Sequence, residues 1–228
     1  MSRKELLERI YTEQIVGVVR EDSAEDAESV AEAYARNGIR IVEVTLTTPD
    51  AIELIATLDK RYGKSITIAA GTVRSTNDAA LARRAGASII VSPHTDGQVI
   101  EYANENDLLC VAGAATPTEI IRAWEAGADI VKIFPAQFLG GPDYIRTIRG
   151  PIRDIPMLAG GPVPLDKIDD YLDSGCIAVN LGATLAVPEL VRNHDWEEIG
   201  RRATLATSIV QSRHHIEQAV NANLPYVH

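Results

Sequence analysis

Short, almost continuously apolar runs alternate along the chain with longer amphipathic stretches, and the alternation repeats eight times. The runs are IVGVVR (15–20), IRIVEVTL (39–46), SITIAAGT (65–72), SIIVSP (88–93), LLCVAG (108–113), DIVKIFP (129–135), IPMLAGG (155–161) and CIAVNLGA (176–183). Most are rich in Val and Ile, the pattern of parallel strands buried on both faces. The stretches between them read as helices. Ser23 and Thr116 are placed as N-caps, and Pro49 and Pro117 suit a first helical turn. Gly38, Gly86, Gly127 and Gly175 each end a helical stretch just before a strand, where glycine supplies the left-handed backbone that closes a helix. Eight such units in register predict an α/β fold, a single (β/α)8 TIM barrel over 1–228. Within it, 1–14 reads as an N-terminal helix and 194–228 as a C-terminal helix and tail. An open doubly wound sheet is the competing arrangement.

Length and charge narrow this picture. The 228 residues suit one such barrel, which typically needs ~250, and are enough to bury a core without staples. No apolar run reaches the ~18 residues of a membrane span. The opening MSRKELLERIYTEQ lacks the apolar middle and small-residue cleavage site of a signal peptide, so a cytoplasmic protein without a membrane partner is expected. The net charge of −10 comes without any basic stripe, which argues against nucleic acid. A small anionic substrate is still compatible with it, because local cations and helix N-termini bind anions on acidic proteins. Cys110 and Cys176 lie inside apolar runs without a CxxC partner and read as buried thiols. No HExxH, carboxylate cluster or Cys/His array is present, and the adjacent His214 and His215 face different directions on a helix. No metal is expected.

In such barrels chemistry gathers at the carboxyl ends of the strands. Two charged residues stand within apolar strands there: Lys132 between Val131 and Ile133, and Glu43 between Val42 and Val44. Strand alternation puts Lys132 in phase with Ile130 and Phe134, and Glu43 in phase with Ile41 and Thr45. If both faces point inward, an amine and a carboxylate converge. Burial favours the neutral form of an amine, which can attack a ketone; the resulting iminium draws electrons from the adjacent carbon. A neighbouring carboxylate can move the protons. The competing reading is an ion pair that only joins strands, although buried pairs stabilise poorly compared with apolar packing. Other polar strand ends give weaker signals. Arg20 and Arg74 could clamp a carboxylate or be solvated loop residues, and His94 could wall a pocket or be exposed. Gly160-Gly161 could offer backbone amides to an anion or simply form a turn.

The segments VEVTLTTPDA (42–51), AAGTV (69–73), VSPHTD (91–96), AGAATPTE (112–119), VKIFPAQFLGGPDYI (131–145) and GPIRDIPMLAGG (150–161) together carry a resemblance. The chain resembles the bacterial 2-keto-3-deoxy-6-phosphogluconate and 4-hydroxy-2-oxoglutarate aldolases through nearly the whole barrel. That resemblance implies a cofactor-free, metal-free class I aldolase, commonly a homotrimer, that cleaves a small-molecule 2-keto-4-hydroxy acid to pyruvate and an aldehyde. It makes Lys132 the Schiff-base lysine and Glu43 the general acid/base. Thr72, Pro93 and Phe134 match the pyruvate pocket, Gly160 and Gly161 match backbone donors to the substrate phosphate, and Gly182 and Ala183 are counted with the substrate-binding residues.

The chain also departs from its relatives. Thr47 stands where well-known members carry an arginine, leaving Arg20 or Arg74 to hold carboxylate. Ala159 replaces a threonine, and Ala183 aligns with a serine that helps hold phosphate. Only a small preference for the phosphorylated acid over a free one such as 4-hydroxy-2-oxoglutarate is therefore expected. A sugar-phosphate isomerase or epimerase on the same barrel, and a non-catalytic ligand-binding barrel, are the remaining alternatives. Lys132 in VKIFP argues against the first, and Lys132 together with Glu43 against the second.

Overall fold

In the computed structural model, which describes the backbone of residues 1–223 and side chains through residue 215, eight parallel strands close on themselves in sequence order. They are β1 (Ile15–Val19), β2 (Ile41–Thr45), β3 (Thr67–Gly71), β4 (Ile89–Val91), β5 (Leu109–Ala114), β6 (Ile130–Ile133), β7 (Met157–Ala159) and β8 (Ala178–Leu181). The helices are α1 (Arg3–Glu13), α2 (Ala24–Arg36), α3 (Ala51–Tyr62), α4 (Thr76–Arg84), α5 (Gly97–Glu105), α6 (Pro117–Glu125), α7 (Gly141–Arg149), α8 (Ile168–Asp173), α9 (Pro188–Arg192) and α10 (Trp196–Asn223). The strands are buried on both faces, as their composition requires. One apolar cluster joins the outer strand faces to the helices, and a second fills the barrel.

The local signals explain the helix starts. The Ser23 hydroxyl accepts from the Asp26 N–H, and Thr116 forms a capping box with Glu119, with Pro117 in the first turn. Gly38, Gly86, Gly127 and Gly175 all have positive φ, between 95° and 109°. Pro49 departs from expectation. The Thr48 N–H closes a turn onto the Thr45 carbonyl, Asp50 caps α3 with φ 52°, and Pro49 lies ahead of the cap instead of in the first turn. The C-terminal segment is also divided differently: α10 begins at Trp196, after the short α9, and packs Ile199, Ala203 and Ala206 against the core beside α2. The tail at 224–228 lies outside the described residues.

The barrel interior has an apolar floor and a polar layer above it. Leu6 and Ile10 of α1 close the amino end, packed with Val16, Ile41, Ile89, Leu109, Ile130 and Ala178. Two residues further along β2, β6 and β8, the same inward phase carries Glu43, Lys132 and Asn180. Alternate strands supply the side chains of one layer in such barrels. The fold therefore brings together three polar side chains that are distant in sequence. Among the described residues no helix is long and apolar enough to cross a membrane.

Candidate active site

Lys132 and Glu43 converge. The Lys132 Nζ stands 3.6 Å from Glu43 Oε1, with the two side chains 10% and 1% exposed. At that burial neither charge is compensated by water, so each depends on its protein partners. The other Glu43 oxygen, Oε2, accepts a 2.6 Å hydrogen bond from Asn180 Nδ2. The Lys132 ammonium also lies 5.6 Å from the centre of the Phe134 ring, within cation–π range.

Glycines make this layer possible. A Cβ on Gly71 would meet Glu43 Oε1 at 2.2 Å, and one on Gly160 would meet Lys132 Cε at 2.4 Å. A Cβ on Gly113 would strike the Pro93 carbonyl at 2.3 Å. Each glycine leaves room beside a functional group that a side chain would displace.

The other predicted residues divide into those at the site and those outside it. Thr72 follows β3 in the left-handed region, φ 58°, an uncommon conformation for a β-branched residue. Its Oγ1 accepts from Arg20 Nη2 at 3.2 Å, which brings Arg20 to the barrel mouth. The Arg74 guanidinium is exposed and has no hydrogen-bond or ion-pair partner among the described residues. Thr47 is exposed and shares a 3.1 Å hydroxyl contact with Thr45. Pro93, His94, Gly113, Arg122 and Phe134 line a cavity of ≈300 Å³ on the β4–β6 side of the mouth. Lys132 and Glu43 are not among its lining residues, although Lys132 reaches the Phe134 ring that is. His94 is exposed, with Nδ1 3.1 Å from the Ser92 hydroxyl.

The expectation for Gly160 at the β7–β8 end is corrected. The Gly160 N–H is not available to an anion: it donates to the Ile133 carbonyl at 2.9 Å, extending the β6–β7 ladder one residue past the strand. Gly161, with φ 114°, is the member of the pair whose N–H has no backbone acceptor among the described residues. Residues 182–186 form a tight turn in which the Leu185 and Ala186 N–H groups both donate to the Gly182 carbonyl. In this turn the N–H groups of Gly182, Ala183 and Thr184 have no backbone acceptor among the described residues. This end is not devoid of side-chain hydroxyls either. Next to the exposed Ala183, Thr184 donates through Oγ1 to the Val163 carbonyl at 2.7 Å and ties the two loops together.

Asn180 and Thr184 escaped the sequence reading. Asn180 carried a usable signal, a polar residue in an apolar strand with the same inward phase as its neighbour Ala178. Thr184 had none, because turn residues follow no period. Cys110 and Cys176 are buried free thiols, both pushed up to about 12 by burial, as expected of inert packing residues. Among the described residues no group of three His, Cys, Asp or Glu side chains could hold a metal ion.

The family model for KDPG and KHG aldolases matches residues 6–202. The chain belongs to the KDPG and KHG aldolase family. That makes it a carbon–carbon lyase of the aldolase type. It is 28% identical to the 2-dehydro-3-deoxy-phosphogluconate aldolase of Haemophilus influenzae over 208 residues, covering 91% of this chain and 98% of the relative. It is 31% identical to the enzyme of that name from Pseudomonas aeruginosa over 189 residues, 82% and 85% of the two chains. Among solved structures it is similar to the KDPG aldolase of Legionella pneumophila, captured with pyruvate as a covalent carbinolamine. The two superpose with TM-score 0.79 at 25% identity, covering 86% of this chain and 96% of that one.

Proposed function

We propose that this aldolase forms a Schiff base between Lys132 and the C2 carbonyl of a 2-keto-4-hydroxy acid, with Glu43 as its general acid/base. The observation that carries the reading is the buried 3.6 Å approach of Lys132 Nζ to Glu43 Oε1. The amine adds to C2, and the carbinolamine loses its hydroxyl as water to give the iminium. Glu43 supplies and recovers the protons of that dehydration. It then takes the proton of the C4 hydroxyl as the C3–C4 bond breaks. The bonding pair moves into an enamine, and the aldehyde leaves. Protonation at C3 and hydrolysis of the iminium free pyruvate and the lysine. Thr72, Pro93 and Phe134 flank the pyruvyl group, and Arg20, held on Thr72, is the cation for its carboxylate. The chain supplies its electrophile through its own amine, so this reading includes no metal and no cofactor.

Of the two substrates, 2-keto-3-deoxy-6-phosphogluconate, giving glyceraldehyde 3-phosphate, fits better. Four backbone N–H groups, at Gly161, Gly182, Ala183 and Thr184, gather on the loops after β7 and β8, where barrels bind phosphate. The second reading is a free acid such as 4-hydroxy-2-oxoglutarate, giving glyoxylate. It is favoured by the engaged Gly160 N–H and by the absence of a side-chain donor at Ala159 and Ala183. A coupled pyruvate-release assay over phosphorylated and free 2-keto-3-deoxy acids, repeated after exhaustive chelation, separates them. The phosphorylated acid is expected to be the better substrate, and activity is expected to survive chelation. A lasting loss restored by a divalent metal would overturn the Schiff-base reading.

Thr184 provides a sharper test. Its hydroxyl can turn from the Val163 carbonyl to a phosphate oxygen. Thr184→Val should lower kcat/KM for the phosphorylated acid by about tenfold, one charge-assisted bond of ~1.5 kcal/mol, and leave the free acid nearly unchanged. Equal losses on both substrates would show that Thr184 only braces the loops.

The assembly proposed is a homotrimer. Ile121 and Trp124, one turn apart on α6, are 40% and 37% exposed, and Phe138 in the turn after β6 is 76% exposed. Apolar side chains of that size at the surface are more economically covered by a second copy. A sedimentation mass other than that of three chains would remove this assignment.

A further inference from the structure

We infer that Asn180 is a positioning residue for Glu43: it holds Oε2 as a hydrogen-bond acceptor, so that proton exchange with the substrate runs through Oε1. The inference rests on the aldolase reading above and adds to it the way in which the carboxylate is made directional.

The geometry is specific. Asn180 is 2% exposed and sits on the inward face of β8, one strand removed from β2. In the ladders it is level with Val16 of β1, while Glu43 is level with Val18. The amide therefore reaches across β1, and its Nδ2 meets Glu43 Oε2 at 2.6 Å. The orientation of the amide follows from the chemistry, since only its NH2 end can face a carboxylate oxygen at that distance. The bond leaves Glu43 with two unlike oxygens. Oε2 is an acceptor fixed by Asn180. Oε1 faces Lys132 Nζ at 3.6 Å and lies along Gly71, where the missing side chain keeps the approach open. A carboxyl proton on Oε2 would place O–H against N–H. The proton is therefore carried on Oε1, the oxygen that faces the Lys132 nitrogen.

Packing alone does not account for an amide here. The Asn180 Oδ1 is buried without a hydrogen-bond partner among the described residues. An unpaired buried acceptor is unfavourable, and an apolar side chain of similar shape would fill the place without that penalty. What the amide adds is the donor to Glu43.

The groups that face Glu43 define what a pH profile would report. Lys132 from β6 is the charged one; Val18 from β1, Ala69 and Gly71 from β3, and Asn180 from β8 carry no charge. Asn180→Asp keeps the shape and replaces the donor with a second carboxylate. Two carboxylates at that distance cannot both ionise and must share a proton.

The test is the pH dependence of kcat for pyruvate release by wild type, Asn180→Asp and Asn180→Ala, with far-UV circular dichroism on each. Asn180→Asp is expected to move the acid limb of the profile upward by more than about one pH unit. Asn180→Ala is expected to lower kcat by about tenfold to a hundredfold with little change in KM. If the aspartate variant does not fold, the alanine variant still decides through its kcat-against-KM split. A profile that overlays wild type in the aspartate variant, or an alanine variant that changes only KM, overturns the assignment while leaving the aldolase reading standing. A wild-type protein that releases no pyruvate overturns the aldolase reading, and this assignment with it.

Discussion

Borohydride added to the protein in the presence of pyruvate is expected to fix one reduced pyruvyl group on Lys132 and on no other lysine. The expectation follows from placement. Lys132 is the lysine of the inward layer, 8% exposed, with its amine held between the Glu43 carboxylate and the Phe134 ring. Peptide mapping reads the site directly. Lys132→Ala should abolish the adduct and lower turnover by on the order of 10⁵–10⁶-fold, the scale on which loss of a covalent nucleophile acts. The substitution also leaves Glu43 buried with Asn180 as its remaining partner, and breaking a buried pair costs about 3–5 kcal/mol. Lys132→Met, which keeps the length and packing of the stem, separates loss of chemistry from loss of fold. An adduct mapped to another lysine, or one that persists in the methionine variant, would take the Schiff base away from β6.

The barrel was legible because its strands are buried on both faces and therefore read as unbroken apolar runs. A charge inside such a run is conspicuous. Glu43 and Lys132 stood out for that reason, and strand alternation was enough to put them on inward faces. Asn180 has the same placement but carries no charge, so it was less conspicuous among apolar neighbours. The glycines were legible only in part. Those with positive φ before the strands announced themselves as helix stops. Gly71, Gly113 and Gly160 lie in or at the end of strands and act by leaving space for a side chain on another strand. That role depends on which strands neighbour each other and in what register, which the run of residues does not encode locally.

Loops were the least legible, for a related reason. Neither a helical nor a strand period governs a residue there, so the direction of Arg20 toward Thr72 and the isolation of Arg74 had no sequence signature. The same holds at the phosphate end. Matching residues by type placed donors at Gly160 and removed them at Ala183. The backbone shows Gly160 engaged with Ile133, and Thr184 carrying the hydroxyl one residue further on.

Glu43→Gln is expected to lower turnover by ~10²–10⁴-fold, the usual contribution of a general acid/base. Glutamine is nearly isosteric, so the contact with Gly71 and the packing beneath β2 persist. Its amide oxygen can take the Asn180 N–H that Oε2 accepts now, which keeps the shape of the layer, while the ion pair with Lys132 is lost, so circular dichroism is needed to separate loss of stability from loss of chemistry. What is lost is a group that can both give and take a proton beside Lys132. Two steps then suffer together: dehydration of the carbinolamine, and removal of the C4 hydroxyl proton as the carbon–carbon bond breaks. The pair can be separated by measurement. Slow but complete trapping of pyruvate by borohydride, with cleavage of the keto acid reduced further, would place Glu43 at both steps. Trapping at the wild-type rate with slow cleavage would confine it to the bond-breaking step. Cleavage at the wild-type rate in a folded Glu43→Gln protein would leave Glu43 as a structural partner of Lys132 and Asn180, and another group would have to move the protons.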